Sequence, residues 1–174
     1  MEIFSIHLGE ITELVINKNN MADYKSKKAI ASKSPASLYM AFVDMRNFYQ
    51  MLPEDKKEGV IADYDSISTT VQGFTIGAKI IERVPYSLIK FADNNAPFAF
   101  NITMHFDAVS TNLDKTELFL ELSAELNFMM KTMLGSKIEK FLNQFVDAIV
   151  NISEGKMPEG IDPSMYPEGF KGGF

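Results

Sequence analysis

The chain has 174 residues, a formal net charge of −6 and no cysteine. This length suits one domain whose core can support a stable monomer, and the lack of cysteine excludes disulfides and thiolate metal sites. Nucleic-acid binding needs a concentrated basic face, whereas the lysines here are scattered along the chain. We therefore expect no nucleic-acid partner.

Both ends of the chain differ in composition from its middle. Residues 1–20 are too polar for a signal peptide or a membrane span. We expect the native protein to start at Met21, with residues 1–20 a doubtful extension; the alternative is a short amphipathic helix or strand docked on the domain. Residues 154–174 are rich in Pro and Gly, which predicts a flexible tail. We therefore place the domain at residues 21–153. We also expect the protein to be cytoplasmic.

A strand and a helix are the first predicted elements. The strand covers residues 24–32. After it, Ser34 offers an N-cap hydroxyl and Pro35 suits the first helical position. Apolar residues then recur at helical spacing over residues 38–52, and we expect this helix to break at Asn47.

From about residue 60 the apolar residues alternate with polar ones, a spacing typical of β-strands. The last two strands are the clearest, because residues 98–106 and 118–126 each place apolar side chains on one face and mostly polar side chains on the other. Such alternation predicts an antiparallel sheet with one buried and one exposed face.

After Asn127 the spacing returns to that of a helix, which we predict from Phe128 to about Ile152. Its apolar stripe consists of Met130, Leu134, Ile138, Phe141, Phe145, Ile149 and Ile152. A sheet with one apolar face must be covered, and this helix is the only element large enough to do so. We therefore predict an α+β helix-grip fold, in which a curved antiparallel sheet of about six strands wraps around the C-terminal helix.

The order of these elements, the Ser34-Pro35 helix start, the segment 48–53 and the final amphipathic helix resemble the START-like superfamily, also called SRPBCC. The segment 77–85 looks like small, uncharacterised bacterial members of that group. The resemblance covers residues 24–152 and implies a helix-grip fold with an apolar cavity between the sheet and the long helix. Members of the group include lipid carriers, polyketide cyclase/dehydrase-like proteins and co-chaperones. The group has no shared catalytic motif, so the resemblance implies no reaction.

Few residues point to catalysis or to metal binding. His105 lies two positions from Asp107, and a His–Asp pair can serve acid–base chemistry, but we expect this strand face to be exposed to solvent. Glu117, Glu121 and Glu125 share one strand face, which we interpret as a solvated surface rather than a cation site. We expect no catalytic residue, no metal and no cofactor.

The candidate ligand-binding residues are apolar side chains of the predicted inner surface. They are Phe42, Ile67, Val71, Ile76, Ile80, Phe91, Phe100, Ile102, Met104, Leu118, Leu120, Met130, Leu134, Ile138, Phe141 and Phe145. Two interpretations stay open: these side chains line a cavity, or they simply fill the core. Candidate polar handles for a ligand are Tyr39, Tyr49, Tyr64 and Asn101.

The sequence favours non-catalytic binding or carriage of an apolar small molecule, a lipid-like or aromatic metabolite, by a monomer or homodimer. One alternative is a cyclase- or dehydrase-like enzyme, which requires an ionisable or hydroxyl group that points into the cavity. The other is a co-chaperone-like interaction module with a filled core. The outward-facing Ile81 and Phe119 and the aromatic residues of the tail are the candidate contacts of such a module.

Overall fold

A computed structural model describes residues 20–52, 54–71 and 73–156. The strands are β1 (Met21–Lys25), β2 (Ala29–Ala31), β3 (Val60–Ala62), β4 (Ser66–Val71), β5 (Phe74–Val84), β6 (Leu88–Asp93), β7 (Phe100–Val109) and β8 (Asn112–Glu125). The helices are α1 (Pro35–Phe42), α2 (Met45–Met51) and α3 (Phe128–Ser153), and a short 3-10 helix spans Glu54–Lys56. The predicted extension, apart from Asn20, and the predicted tail beyond residue 156 lie outside the described residues.

The eight strands form one antiparallel sheet in the order β1-β8-β7-β6-β5-β4-β3, with β2 also paired to β8. A register shift between Ile80 and Glu82 places a bulge in β5, and bulges bend a strand and increase its twist. The predicted α+β helix-grip fold is confirmed, with eight strands where we predicted about six. Within the ranges described, no helix is long and apolar enough to cross a membrane.

The predicted first strand is in fact two strands, because Ser26 interrupts it. Ser26 N donates to Leu120 O at 2.9 Å, as in a normal ladder. Its Oγ, however, accepts from Leu120 N at 2.8 Å and donates to Lys27 O at 2.8 Å. A buried side-chain hydroxyl therefore takes the place of a strand carbonyl at this point, and the ladder resumes at Ala29.

Both predicted helix starts are confirmed. Ser34 caps α1 by accepting a hydrogen bond from Ser37 N at 3.3 Å, with Pro35 in the first turn. Asn127 caps α3 by accepting from Met130 N at 2.9 Å. Each cap satisfies one of the N–H groups that a helix leaves unpaired in its first turn.

The break between α1 and α2 lies at Val43-Asp44, so the predicted break at Asn47 is wrong. Asp44 starts α2 by accepting from Arg46 N at 2.9 Å. Asn47 belongs to α2, and its Nδ2 donates to Ala41 O at 2.9 Å. Asn47 thus ties the two helices together rather than separating them.

Helix α3 packs mainly on β1, β2 and β8, and its buried face is rotated relative to the predicted stripe. Leu142, Val146 and Ile149 are buried, whereas Phe141 is 57% exposed. The predicted stripe is therefore wrong at Phe141 and lacks Val146. The reason is that α3 covers the β1, β2 and β8 side of the concave sheet surface, whereas α2 lies against β3 and β4.

Two side chains of α3 tie it to the edge of the sheet. Asn143 Oδ1 accepts from Lys27 N at 2.7 Å. Ser153 Oγ accepts from Ser32 N at 2.9 Å and donates to Val150 O at 2.7 Å. These bonds satisfy backbone donors next to β2 and hold the C-terminal half of α3 against this edge.

Candidate functional site

An apolar cavity of about 190 Å³ lies between α2, α3 and the concave face of the sheet. Five neighbouring strands, β4 to β8, contribute one side chain each, and the two helices contribute the rest. The lining residues are Met45, Phe48, Ile67, Ala78, Phe91, Ile102, Leu120, Phe141, Leu142 and Phe145. Because each of these side chains is apolar, none of them supplies a charge or a hydrogen bond to this inner cavity.

A second cavity, of about 720 Å³, lies towards the β3 edge and is open to solvent. Strands β3, β4 and β5, the 3-10 helix and the loop between β6 and β7 form its walls. Its lining residues are Leu52, Lys56, Val60, Ile67, Ser68, Thr69, Ile76, Gly77, Ala78, Ala96, Pro97, Phe98 and Phe100. This outer lining is mostly apolar and includes the polar residues Lys56, Ser68 and Thr69. The side chain of Thr69 shares the face of Ile67, whereas that of Ser68 lies on the opposite face of β4.

The two cavities adjoin at Ile67 and Ala78, which line both of them. These residues are direct partners in the pairing of β4 with β5. The linings of the two cavities therefore meet at this strand pair, and together they extend over the concave face of the sheet from the 3-10 helix to the middle of α3. We call this extent the path.

The fold of the chain is shared by several solved structures. Norcoclaurine synthase from Thalictrum flavum is similar with a TM-score of 0.58 and 15% identity, over 83% of this chain and 94% of that chain. The Aha1 dimer from Colwellia psychrerythraea is similar with a TM-score of 0.54 and 11% identity, over 79% of this chain and 99% of that chain. An uncharacterised protein from Bacillus thuringiensis is similar with a TM-score of 0.54 and 11% identity, over 76% of this chain and 99% of that chain.

The chain shares the helix-grip fold of these structures. No protein-family model and no curated protein sequence matches the chain. At 11–15% identity the likeness to these structures concerns the fold alone, so chemistry has to be argued from the residues of this chain.

The structure divides the candidate ligand-binding residues into three groups. Those that line one or both cavities are Ile67, Ile76, Phe91, Phe100, Ile102, Leu120, Phe141 and Phe145. Those buried in the core but lining neither cavity are Phe42, Ile80, Met104 and Leu118. Those on half-buried positions of α3, also lining neither, are Met130, Leu134 and Ile138. The side chain of Val71 lies outside the described part of the chain.

Sequence reasoning missed several lining residues for which a signal existed. Met45, Phe48 and Leu52 belong to the apolar spacing that predicted α1 and α2. Ala78 alternates with Ile76 and Ile80 along β5 and therefore shares their face. Thr69 likewise lies two positions from Ile67 along β4 and shares its face. For Lys56 and Ser68 the sequence offered no comparable signal, because their place depends on how loops and strands meet.

The four candidate polar handles lie outside the lining of both cavities as the described residues define them. Tyr39 is buried, and burial raises the pKa of its hydroxyl. Tyr49 lies 5.5 Å below the Lys57 ammonium, and Tyr64 stacks beneath the Arg83 guanidinium. Asn101 is exposed on the opposite face of the sheet.

On that convex face, His105 pairs with Glu121 rather than with Asp107. His105 Nε2 lies 2.9 Å from Glu121 Oε2, and Lys25 Nζ donates to Glu121 Oε1 at 2.8 Å. The Lys25 ammonium, and after it the His105 ring, hold the pKa of the Glu121 carboxyl below its usual value. These residues form a surface ion-pair network, as expected for a solvent-facing strand.

Phe119 is covered by its neighbours on the convex face, which corrects its assignment as an outward contact. Its ring stacks on that of His105, with 4.3 Å between centroids and 8° between planes. The ammonium groups of Lys25 and Lys28 lie 4.7 Å and 4.8 Å from its centroid. Only 7% of Phe119 is exposed, whereas Ile81 is 50% exposed.

Glu117 and Glu121 of β8 have lysine partners. Lys28 Nζ lies 2.5 Å from Glu117 Oε1, in addition to the bond between Lys25 and Glu121. Across the residues the structure describes, no cluster of three or more His, Asp or Glu side chains is arranged to hold a metal ion.

Proposed function

We propose that this protein binds and carries an apolar small molecule in the inner and outer cavities, without catalysing a reaction on it. The observation that carries this proposal is the wholly apolar lining of the inner cavity and its junction with a larger open cavity at Ile67 and Ala78. Burial of apolar ligand surface in such a site contributes about 25 cal/mol per Å². Apolar pockets with a few polar groups near one end are typical of small-molecule sites.

A protein of the same fold supports this use of the architecture. Norcoclaurine synthase from Thalictrum flavum was solved in complex with dopamine and hydroxybenzaldehyde. For the present chain we propose a lipid-like or aromatic metabolite, bound in the cytoplasm by a monomer or homodimer that needs no cofactor.

The lining argues against catalysis in the inner cavity. General acid–base chemistry needs an ionisable group within hydrogen-bond reach of the reacting atoms, and the inner lining is apolar throughout. A cyclase- or dehydrase-like reaction would have to use Lys56 or Thr69 in the outer cavity. An interaction module with a filled core is disfavoured by the two cavities and by the covered position of Phe119.

The first experiment is native mass spectrometry of gently purified protein, followed by organic extraction of anything released. We expect an added mass that corresponds to one apolar compound per chain. A clean mass of the bare chain, together with no uptake from a panel of fatty acids, isoprenoids and quinones, would contradict the proposal.

A matched pair of variants on α3 tests the location of binding. Phe141 is 57% exposed and lines the inner cavity, whereas Met133 is 61% exposed and lines neither cavity. Phe141→Glu places a charge at the cavity and should weaken binding of the neutral dye Nile red. Met133→Glu adds the same charge to the same helix and should leave binding unchanged. Equal effects of the two substitutions would argue against binding at this site.

A further inference from the structure

We propose, on the basis of the binding function above, that the natural ligand is an amphipathic anion. Its apolar body occupies the path past Ile67 and Ala78, and its acidic head group binds the ammonium group of Lys56. This assigns a polarity to the site: an apolar inner end and a cationic outer end.

Lys56 is the only charged residue among the described residues that line the two cavities. It closes the 3-10 helix after α2, at the opposite end of the path from Phe145 on α3. Thr69 lines the same outer cavity on the face of β4 that carries Ile67, and its hydroxyl group can donate a hydrogen bond. A carboxylate, sulfate or phosphate head group at this end would meet a positive charge with the hydroxyl group of Thr69 on the same side of the sheet.

The neighbouring Lys57 differs from Lys56 in its contacts and in its exposed fraction. Its Nζ lies 2.6 Å from Glu54 Oε1 and above the ring of Tyr49, and only 13% of its side chain is exposed. The Lys56 side chain is 68% exposed, and its ion pair is a longer one, 3.4 Å from Nζ to Oδ2 of Asp55, which is itself 72% exposed.

An exposed pair of this kind contributes little free energy, because water screens both charges. The head group of a ligand can therefore replace Asp55 as the partner of Lys56 at small cost. The carboxylates of Asp55 and Glu54 do not belong to the cavity lining, so the charge that a bound ligand meets in the lining is positive.

Three probes with one chain and different head groups test the proposal: lauric acid, dodecanol and dodecylamine. Each is titrated at neutral pH, below its aggregation concentration, by displacement of Nile red from the full chain. For the native protein we expect lauric acid to bind about 1.5-fold to fivefold more tightly than dodecanol, and dodecylamine to bind most weakly. The preference for the acid should shrink as salt is added.

Variants of Lys56 assign the preference to one group. Lys56→Met should make lauric acid and dodecanol bind equally, and Lys56→Glu should shift the preference towards dodecylamine. Lys79→Met is the matched control, because Lys79 is an exposed lysine on β5 that lines neither cavity. This control should keep the preference of the native protein.

The outcomes separate this inference from the proposed function. If the three probes displace Nile red equally well, or if Lys56→Met leaves the preference for the acid intact, the anionic head group is rejected while apolar binding stands. If neither Nile red nor any probe binds, the proposed function itself fails.

Discussion

Ile67 on β4 and Ala78 on β5 are directly paired across the sheet, and both side chains line the inner and the outer cavity. The junction between the two linings is therefore a residue pair in which one side chain is a single methyl group. A larger residue at position 78 would divide the path without altering either end.

We predict that Ala78→Phe blocks this path. The phenyl ring would occupy cavity space, so we expect binding of Nile red to weaken at least several-fold, at a stability cost towards the low end of the about 1–3 kcal/mol typical of overpacking. Dye titration and urea unfolding measure the two effects. Ala108→Phe, at an exposed position of β7 that lines neither cavity, is the control for added apolar surface. Unchanged binding in Ala78→Phe would show that the ligand does not pass this point.

Two glycines should respond to alanine with opposite signs. A Cβ atom on Gly77 would lie 2.8 Å from Ser68 Cβ and would also collide with the Ile67 carbonyl oxygen. Because that oxygen belongs to the backbone of β4, Gly77→Ala should cost about 1–3 kcal/mol. A Cβ atom on Gly135 would make an ordinary contact, 3.4 Å from Tyr24 Oη.

Gly135→Ala should therefore stabilise the protein by up to about 1 kcal/mol, the difference in helix propensity between the two residues. Urea unfolding of both variants checks the pair. A loss of stability in Gly135→Ala comparable to that in Gly77→Ala would mean that α3 lies closer to β1 than the structure places it.

Features that depend on neighbouring residues in the sequence could be predicted from it. The alternation in β7 and β8 is confirmed, because Met104, Phe106, Leu118 and Leu120 are all buried. The bounds of α3 are likewise confirmed, since helical spacing and the Asn127 cap are local signals.

Features that depend on distant partners could not be predicted. The division of the first strand rests on the bond between Ser26 and Leu120, which are far apart in sequence. The partner of His105 is Glu121, on the adjacent strand, so it follows from strand pairing and not from the local spacing to Asp107. The cavities depend on which strands α3 leaves uncovered, and helical spacing alone does not determine that.

Ser26→Ala should destabilise the protein although it removes one buried oxygen atom only. Without Ser26 Oγ, the buried Leu120 N–H group loses its hydrogen-bond acceptor. An unsatisfied buried donor lowers the free energy of unfolding by about 1–3 kcal/mol. Urea unfolding should show this loss, and hydrogen exchange should be faster at the Leu120 amide. Ser136→Ala, at an exposed position of α3, should change stability by no more than about 0.5 kcal/mol. Equal stability of the two variants would contradict the bridging role of Ser26.

Asp44 and Glu121 are two of the carboxylates whose lowered pKa makes the stability dependent on pH in the acid range. The side chain of Arg46, by hydrogen bonding, holds the pKa of the Asp44 carboxyl below its usual value. The Lys25 ammonium and then the His105 ring do the same for Glu121. A folded-state pKa below that of the unfolded chain means that the unfolded state binds protons first. The stabilisation is therefore complete above about pH 5 and is lost as the pH falls through about 4 towards the lowered values.

Asp44→Asn isolates the contribution of one of these carboxylates. Asparagine also accepts a hydrogen bond from the Arg46 backbone N–H and caps a helix about as well as aspartate, so α2 should still form, but the charge is gone. We expect the urea midpoint of the variant to fall less steeply than that of the native protein between about pH 5 and about pH 3. Asp107→Asn removes a carboxylate from an exposed strand position and serves as the control for net charge. If Asp44→Asn and the native protein lose stability in parallel over this range, the pair formed by Asp44 and Arg46 does not contribute to the acid sensitivity.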